Sequence, residues 1–430
     1  MSHGIEGVRR RQVVQGLAAV AAAGPFAACG AGQRLAALPE KLRSTASFHG
    51  LPANARIVLG WSNEDRLART AIVALQRELD YHRRTGVKEL PPAVNLAISG
   101  GGENGAYGAG ILTAWSETGT RPVFKAVTGV STGALIAPFA FLGSAYDKDL
   151  ERFYTTIDQS KVMTSRGLIT GVLSDSLYDS TPLLRTIRSA LTPAFVAAIR
   201  QEYTEKGRLL FVATTNLDVP VGVMWNIGAI AASGIPDATD LIAKILLASA
   251  SIPGALPPVM IDIEAGGQRF QEMHVDGGTV AQVVLYPPSF SSDDLIDAVG
   301  PEARHLLQAV AHRERRLYVI RNSRPGPDFE TVDRSTLKIA GRAVSTLIST
   351  QGIGDLYQLF LVCQRDHIDY NVTYIPVSFN EKLREPFERA YMNRLYQVGR
   401  QQMLDGKAWS KYPPGYTPVP FSRIKTAIPG

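Results

Sequence analysis

The chain has 430 residues, 45% hydrophobic and 20% charged, with 45 Lys and Arg against 39 Asp and Glu for a formal net charge of +6. That length and composition suit one large α/β domain with additions, or two domains, and a mean hydropathy of zero argues against a polytopic membrane protein. Beyond Arg9, Arg10 and Arg11 the basic residues are dispersed, and no basic helix is interleaved with aromatics, so nucleic acid is not an expected partner.

Residues 1–28 read as an export signal. Arg9 to Arg11 form a positive n-region, and Val13 to Ala28 is apolar, Ala-rich and too short to span a bilayer. The run Arg10-Arg11-Gln12-Val13-Val14 is similar to a twin-arginine signal. Phe26-Ala27-Ala28-Cys29-Gly30 resembles a bacterial lipobox, in which Cys29 becomes the lipidated first residue. The expected location is then the bacterial cell envelope, as a membrane-anchored lipoprotein on the periplasmic side or the cell surface. The alternative is an N-terminal extension of a cytoplasmic protein. The second cysteine, Cys363, follows the apolar run Tyr357 to Val362 and reads as a buried small hydrophobe, so no intrachain disulfide is expected. No Cys/His spacing suggests zinc and no His-Glu-x-x-His occurs, so neither metal nor cofactor is expected.

Residues 29–92 are expected to hold a tether and a helix. The segment 31–60 is rich in Ala, Pro and Gly, and Leu67, Ile72, Leu75 and Leu79 recur at near-helical spacing within Asn63 to Arg84. A hydrolase domain is expected over 93–380. Strands are predicted at Val94–Ser99, Phe124–Thr128, Leu209–Thr214, Phe270–Val275, Leu317–Ile320 and Val372–Val377. Helices are predicted at Gly105–Glu117, Gly133–Leu142, Leu241–Ser249 and Arg334–Ser349. Strands alternating with helices predict a three-layer α/β/α sandwich with a largely parallel central sheet. Residues 145–205 lack a clear strand and are expected to form a helical insertion. Residues 381–430 are expected to hold a last helix, Glu381–Met403, and a surface-wrapping tail.

Gly129-Val130-Ser131-Thr132-Gly133 lies between a predicted strand and a predicted helix. This is G-x-S-x-G in the context that chemistry requires: a sharp strand-to-helix turn lifts the serine hydroxyl clear of the sheet, and glycines two before and two after leave room for it. Earlier, Ser99-Gly100-Gly101-Gly102-Glu103-Asn104-Gly105 follows a strand and opens a helix. Gly100, Gly102 and Gly105 match a dinucleotide-binding string, but the acid expected after the second strand of such a unit is missing; Arg121 and Lys125 stand near its place. The other reading is an oxyanion hole built from the backbone N–H groups of Gly100, Gly101 and Gly102. Asp276 closes a predicted strand and is followed by Gly277 and Gly278.

In that order, these blocks resemble the patatin family of lipid acyl hydrolases. Arg208 to Asp218, Ser176 to Ile187 and Ala248 to Val259 are similar to its intervening segments, so the likeness covers roughly Val94 to Gly278. The resemblance implies a Ser131–Asp276 dyad. Ser131 attacks an ester carbonyl, Asp276 accepts its proton, backbone N–H groups around Gly101 and Gly102 hold the oxyanion, and water releases the acid from an acyl-enzyme. Gly105, Gly129, Gly133, Gly277 and Gly278 support these motifs. The implied substrates are phospholipids, lysophospholipids or other acyl esters, met at a membrane surface through the lipid anchor; the oligomeric state is not implied. Two positions depart from the family: Asn104 stands where Arg or Lys is usual, and Thr279-Val280-Ala281-Gln282 replaces the usual continuation. A transacylase of the same fold, or a lipid-binding lipoprotein without catalysis, are the rival readings.

A Ser–His–Asp triad would need His305 or His312, which lie in a charged helical stretch and read as surface residues. His274 shares the strand face of Asp276 and reads as a satisfied core histidine, with a pocket-lining role as the alternative. Ile111, Leu135, Phe139, Leu142 and Leu246 to Leu256 are candidates to line an acyl pocket. Tyr146, Tyr154 and Met163 would meet lipid if the insertion acts as a lid.

Overall fold

The middle layer of the protein is a nine-stranded sheet. The computed structural model describes residues 34–418 apart from 49, 60–63, 168–173, 287–299, 327, 328 and 330; the expected signal and Cys29 lie outside the described residues. In chain order the strands are β1 (Arg56–Val58), β2 (Ala93–Ile98), β3 (Ala126–Val130), β4 (Thr164–Ser165), β5 (Tyr178–Asp179), β6 (Leu209–Asn216), β7 (Val221–Asn226), β8 (Val259–Ala265), β9 (Gln268–Asp276), β10 (Arg315–Arg321) and β11 (Asp369–Tyr374). The helices are α1 (Glu64–Thr85), α2 (Gly105–Glu117), α3 (Thr132–Leu142), α4 (Asp147–Thr155), α5 (Gln159–Val162), α6 (Thr181–Ala190), α7 (Pro193–Lys206), α8 (Ile227–Ala231), α9 (Ala238–Ser249), α10 (Pro301–Gln308), α11 (Thr336–Arg365) and α12 (Arg389–Leu404).

Strands β6, β3, β2, β10 and β11 run parallel, and β7, β1, β9 and β8 extend the sheet through antiparallel pairs. The parallel strands are apolar almost throughout because helices cover both faces. All 8 residues of β6 are buried. Alternation sorts the side chains into two cores: Leu96, Ile98 and Ile320 pack with α2 and α12, while Ala97, Leu317 and Val319 pack with Leu356, Phe360 and Cys363 of α11. The fold is therefore the expected mixed α/β arrangement with a largely parallel sheet between helical layers. The small β4–β5 pair lies in the expected helical insertion, which otherwise consists of α4 to α7.

Two expectations need correction. Segment 31–60 is not simply a tether over its described part: Ile57 is buried, Arg56 pairs with Glu272, and β1 joins the sheet beside β7. The helix expected to end at Ser349 continues to Arg365, because Leu356, Leu359, Phe360 and Cys363 carry a buried stripe onto β10 and β11.

One detail of register decides where chemistry can occur. On a single edge of β6, β3 pairs as far as Val130 with Ala213, and β9 takes over with Asp276 opposite Thr214. The end of β3 and the end of β9 thus meet at successive residues of one strand, which brings Ser131 to Asp276.

Candidate active site

Ser131 links β3 to α3 with φ 55° and ψ −125°, a conformation disfavoured for any residue with a side chain. The surrounding glycines make the turn possible. A Cβ at Gly129 would lie 2.3 Å from the Gly133 carbonyl oxygen, and one at Gly133 would lie 2.3 Å from the Ile98 carbonyl oxygen. The turn is also braced by Ser249, at the end of α9. Ser131 N–H donates to Ser249 Oγ at 3.0 Å, and Ser249 Oγ donates to the Ala213 carbonyl at 2.6 Å.

Ser131 and Asp276 line the same cleft, and the nearby Ser131 hydroxyl favours the ionised form of the Asp276 carboxyl. Asp276 Oδ1 accepts from Gly278 N–H at 2.7 Å. Burial pushes the Asp276 carboxyl up to about 6, against the downward pull of the Ser131 hydroxyl and the Gly278 N–H. A Cβ at Gly277 would lie 2.5 Å from the Ala213 carbonyl oxygen, and one at Gly278 would lie 2.1 Å from Gln282 Nε2, so the turn after Asp276 has no room for side chains.

The glycine loop lies against the serine. A Cβ at Gly100 would be 3.1 Å from Ser131 Cβ. Gly101 has φ 153°, and a Cβ there would fall 2.2 Å from the Asn322 carbonyl oxygen. A Cβ at Gly105 would meet Thr132 Oγ1 at 2.3 Å. Asn322 fixes the loop: its N–H donates to Ser99 Oγ at 2.8 Å, its side-chain amide donates to the Ser99 carbonyl at 2.9 Å, and its Oδ1 accepts from Gly108 N–H at 3.1 Å. Of the three glycines expected to serve an oxyanion, Gly100 donates its N–H to the Gln282 carbonyl at 3.3 Å, whereas the Gly101 and Gly102 N–H groups make no such backbone bond among the described residues. Asn104 accepts from Tyr391 Oη at 2.8 Å and ties the loop to α12.

Two hollows meet at Ser131. One is a cleft of about 700 Å³ lined by Gly100 to Gly102, Asp276, Arg321 and one side of α11 from Ala340 to Gly352. The other is a narrow apolar pocket of about 70 Å³ that also touches Gly102 and Ser131. Leu135, Phe153, Ile157, Val162, Met163 and Leu183 line it, together with Ala250, Ile252, Ala255 and Leu256. Of the expected acyl-pocket residues, Leu135 and the end of the Leu246–Leu256 segment are there. Ile111 is core, Phe139 packs on Phe153 and Phe195, and Leu142 packs against the main core. Tyr154 and Met163 reach the pocket, whereas Tyr146 stacks edge-on against Phe195.

The histidines stand apart from this site. His274 is fully buried, with Nδ1 bonded to Thr214 Oγ1 at 2.9 Å and Nε2 to Glu272 at 3.1 Å, and burial lowers its pKa despite the Glu272 carboxylate. Glu272 in turn holds Arg56. His305 and His312 are exposed. Among the described residues no group of His, Cys, Asp and Glu side chains could hold a metal ion, and no helix is long and apolar enough to cross a membrane.

Residues 96–287 match the family described as patatin-like phospholipase. No curated protein matches the sequence. Among solved structures, VipD from Legionella pneumophila is similar at 13% identity and a TM-score of 0.35, over 74% of this chain and 67% of that one. Human GIVD cytosolic phospholipase A2 is similar at 12% identity and a TM-score of 0.25, over 67% of this chain. The chain spans about half the length of that human enzyme, 51%.

Proposed function

Because residues 96–287 belong to the patatin-like phospholipase family, we propose that the protein is a serine lipid acyl hydrolase acting through Ser131 and Asp276. The observation that carries this is the strained Ser131, set beside the buried Asp276 carboxylate at the junction of an apolar pocket and a wide cleft. In the proposed reaction Ser131 Oγ adds to the ester carbonyl as its proton passes to Asp276. Gly101 and Gly102 N–H groups hold the resulting oxyanion. Collapse breaks the ester C–O bond, and Asp276 returns the proton to the leaving alcohol. Asp276 then takes a proton from water, the hydroxide equivalent attacks the acyl-enzyme, and the freed acid leaves with Ser131 reprotonated. The acyl chain occupies the narrow pocket and the rest of the lipid lies in the cleft. Phospholipids, lysophospholipids and simpler acyl esters all satisfy this arrangement.

Labelling with a fluorophosphonate probe tests the assignment. Wild type should label, and Ser131→Ala and Asp276→Asn should not. Labelling of Ser131→Ala would move the nucleophile elsewhere. A wild type that neither labels nor cleaves p-nitrophenyl esters would favour a lipid-binding protein without catalysis.

A further inference from the structure

Arg321 closes β10 and is 2% exposed, yet it lines the same cleft as Ser131. Its Nε donates to Ser323 Oγ at 2.7 Å and its Nη2 to the Ser349 carbonyl at 3.3 Å. Its Nη1 is buried with no hydrogen-bond partner among the described residues. A buried guanidinium with an idle donor is unusual, because an unmatched buried charge-bearing donor is strongly unfavourable. The carboxylate whose charge reaches it is Asp355. That group accepts from Gln282 N–H at 2.6 Å and Val283 N–H at 3.3 Å, and makes no ion pair with Arg321 among the described residues.

Gln282 neighbours both Ser131 and Arg321 in the cleft. A Cβ at Gly100 would lie 2.7 Å from Gln282 Oε1 and 3.1 Å from Ser131 Cβ. A Cβ at Gly352 would lie 3.2 Å from Gln282 Cβ and 3.5 Å from Arg321 Nη1. Gln282 therefore lies between the loop beside Ser131 and the part of α11 beside the guanidinium. In a glycerophospholipid only glycerol carbons and two ester oxygens separate the acyl carbonyl from the phosphorus, so one molecule can present its ester and its phosphate to neighbouring parts of one cleft. Ser323 and Ser349 line the cleft and add hydroxyls. A planar guanidinium fork with hydroxyls beside it suits the oxygens of a phosphate.

We propose that Arg321 forms an anion subsite that takes the phosphodiester of a glycerophospholipid while its acyl ester lies at Ser131. The assignment rests on the lipid acyl hydrolase reading of the cleft and narrows it to phosphate-bearing lipids.

The test uses the purified full chain with Arg321→Met and Arg321→Lys. Dioleoylphosphatidylcholine and dioleoylglycerol are compared in the same mixed micelles. Arg321→Met should lower the ratio of phospholipid to diacylglycerol kcat/KM by roughly 10- to 100-fold, mainly through KM, with a smaller loss for Arg321→Lys. An unchanged ratio, or an equal fall on both substrates, overturns the subsite. A second arm needs no activity: Ser131→Ala is titrated calorimetrically with monomeric dihexanoylphosphatidylcholine, dihexanoylglycerol and inorganic phosphate. Phosphatidylcholine binding that exceeds that of the diacylglycerol and is lost with Arg321→Met supports the assignment, even if no ester is cleaved and the hydrolase reading falls. Binding of inorganic phosphate alone makes it a free-phosphate site and overturns the lipid assignment.

Discussion

At Asp276 burial opposes ionisation, while the Ser131 hydroxyl and Gly278 N–H favour it, and the carboxyl is left titrating at about 6. A base with that value is ionised at neutral pH yet basic enough to take up a serine proton in the transition state. Hydrolysis of a soluble ester should therefore show a plateau of kcat/KM above pH 7 and a limb falling about tenfold per pH unit below 6. Asp355 is also raised by burial to about 6, against the N–H groups of Gln282 and Val283. Asp355→Asn separates the two: the acidic limb should persist in that variant. A profile flat from pH 5 to 8, or a limb lost with Asp355→Asn, would count against Asp276 as the base. Both groups have folded values above the ordinary carboxylate value. Each therefore adds stability at acid pH that is lost as pH rises through about 6.

Helices α4, α5 and α6 supply one wall of the apolar pocket through Phe153, Val162 and Leu183. If an acyl chain lies there, the depth of that wall sets the chain length accepted. Leu183→Trp should move the preferred p-nitrophenyl ester from long acyl chains to short ones, with kcat/KM on the butyrate within a few-fold of wild type. An unaltered chain-length profile would place the acyl group in the wide cleft instead. How much of this was legible in the sequence follows from the range of each interaction. The elbow, the glycine loop and the Asp-Gly-Gly turn are local devices, and their residues stand together along the chain. Leu135, Tyr154 and Met163 could be named only by composition and position, and Tyr146, Phe139 and Ile111 looked equally suitable. Ser249, Asn322 and Gln282 brace the site through hydrogen bonds to residues far away in sequence, and no local pattern marks such partners. Arg321 and Asn322 carried one usable signal, their place at the end of a predicted strand, where α/β proteins hold functional side chains. Strands β7 and β8 escaped because Gly222 and Asn226 break the apolar run of one and Asp262 and Glu264 that of the other, so neither shows the continuous apolar stretch of the parallel strands.

The matched family segment begins at residue 96, but the folded unit reaches further. Helix α1 and strand β10 lie outside that segment, and a buried charge cluster joins them to β3. Glu78 of α1 accepts from Lys125 at 2.7 Å and from Arg313 at 2.7 Å and 3.0 Å. Burial opposes the Glu78 charge, but Arg313 and Lys125 together hold its carboxyl below the ordinary range; burial pushes the Lys125 ammonium down to about 8. Lys125 and Arg313 precede β3 and β10, so the cluster sits at the opposite end of these strands from Ser131 and Arg321. Removing Glu78 leaves Lys125 and Arg313 without their counter-charge, and such losses run to about 3–5 kcal/mol. Glu78→Ala should therefore unfold at clearly lower urea concentration than wild type. Fluorophosphonate labelling of the folded fraction at low temperature should stay at the wild-type rate, because the cluster touches nothing in the cleft. Lys125→Met added to Glu78→Ala should recover part of the lost stability, since it removes one of the stranded charges. A Glu78→Ala midpoint equal to wild type would mean that water reaches the cluster and that α1 is held by its apolar face alone, through Leu67, Ile72 and Leu75.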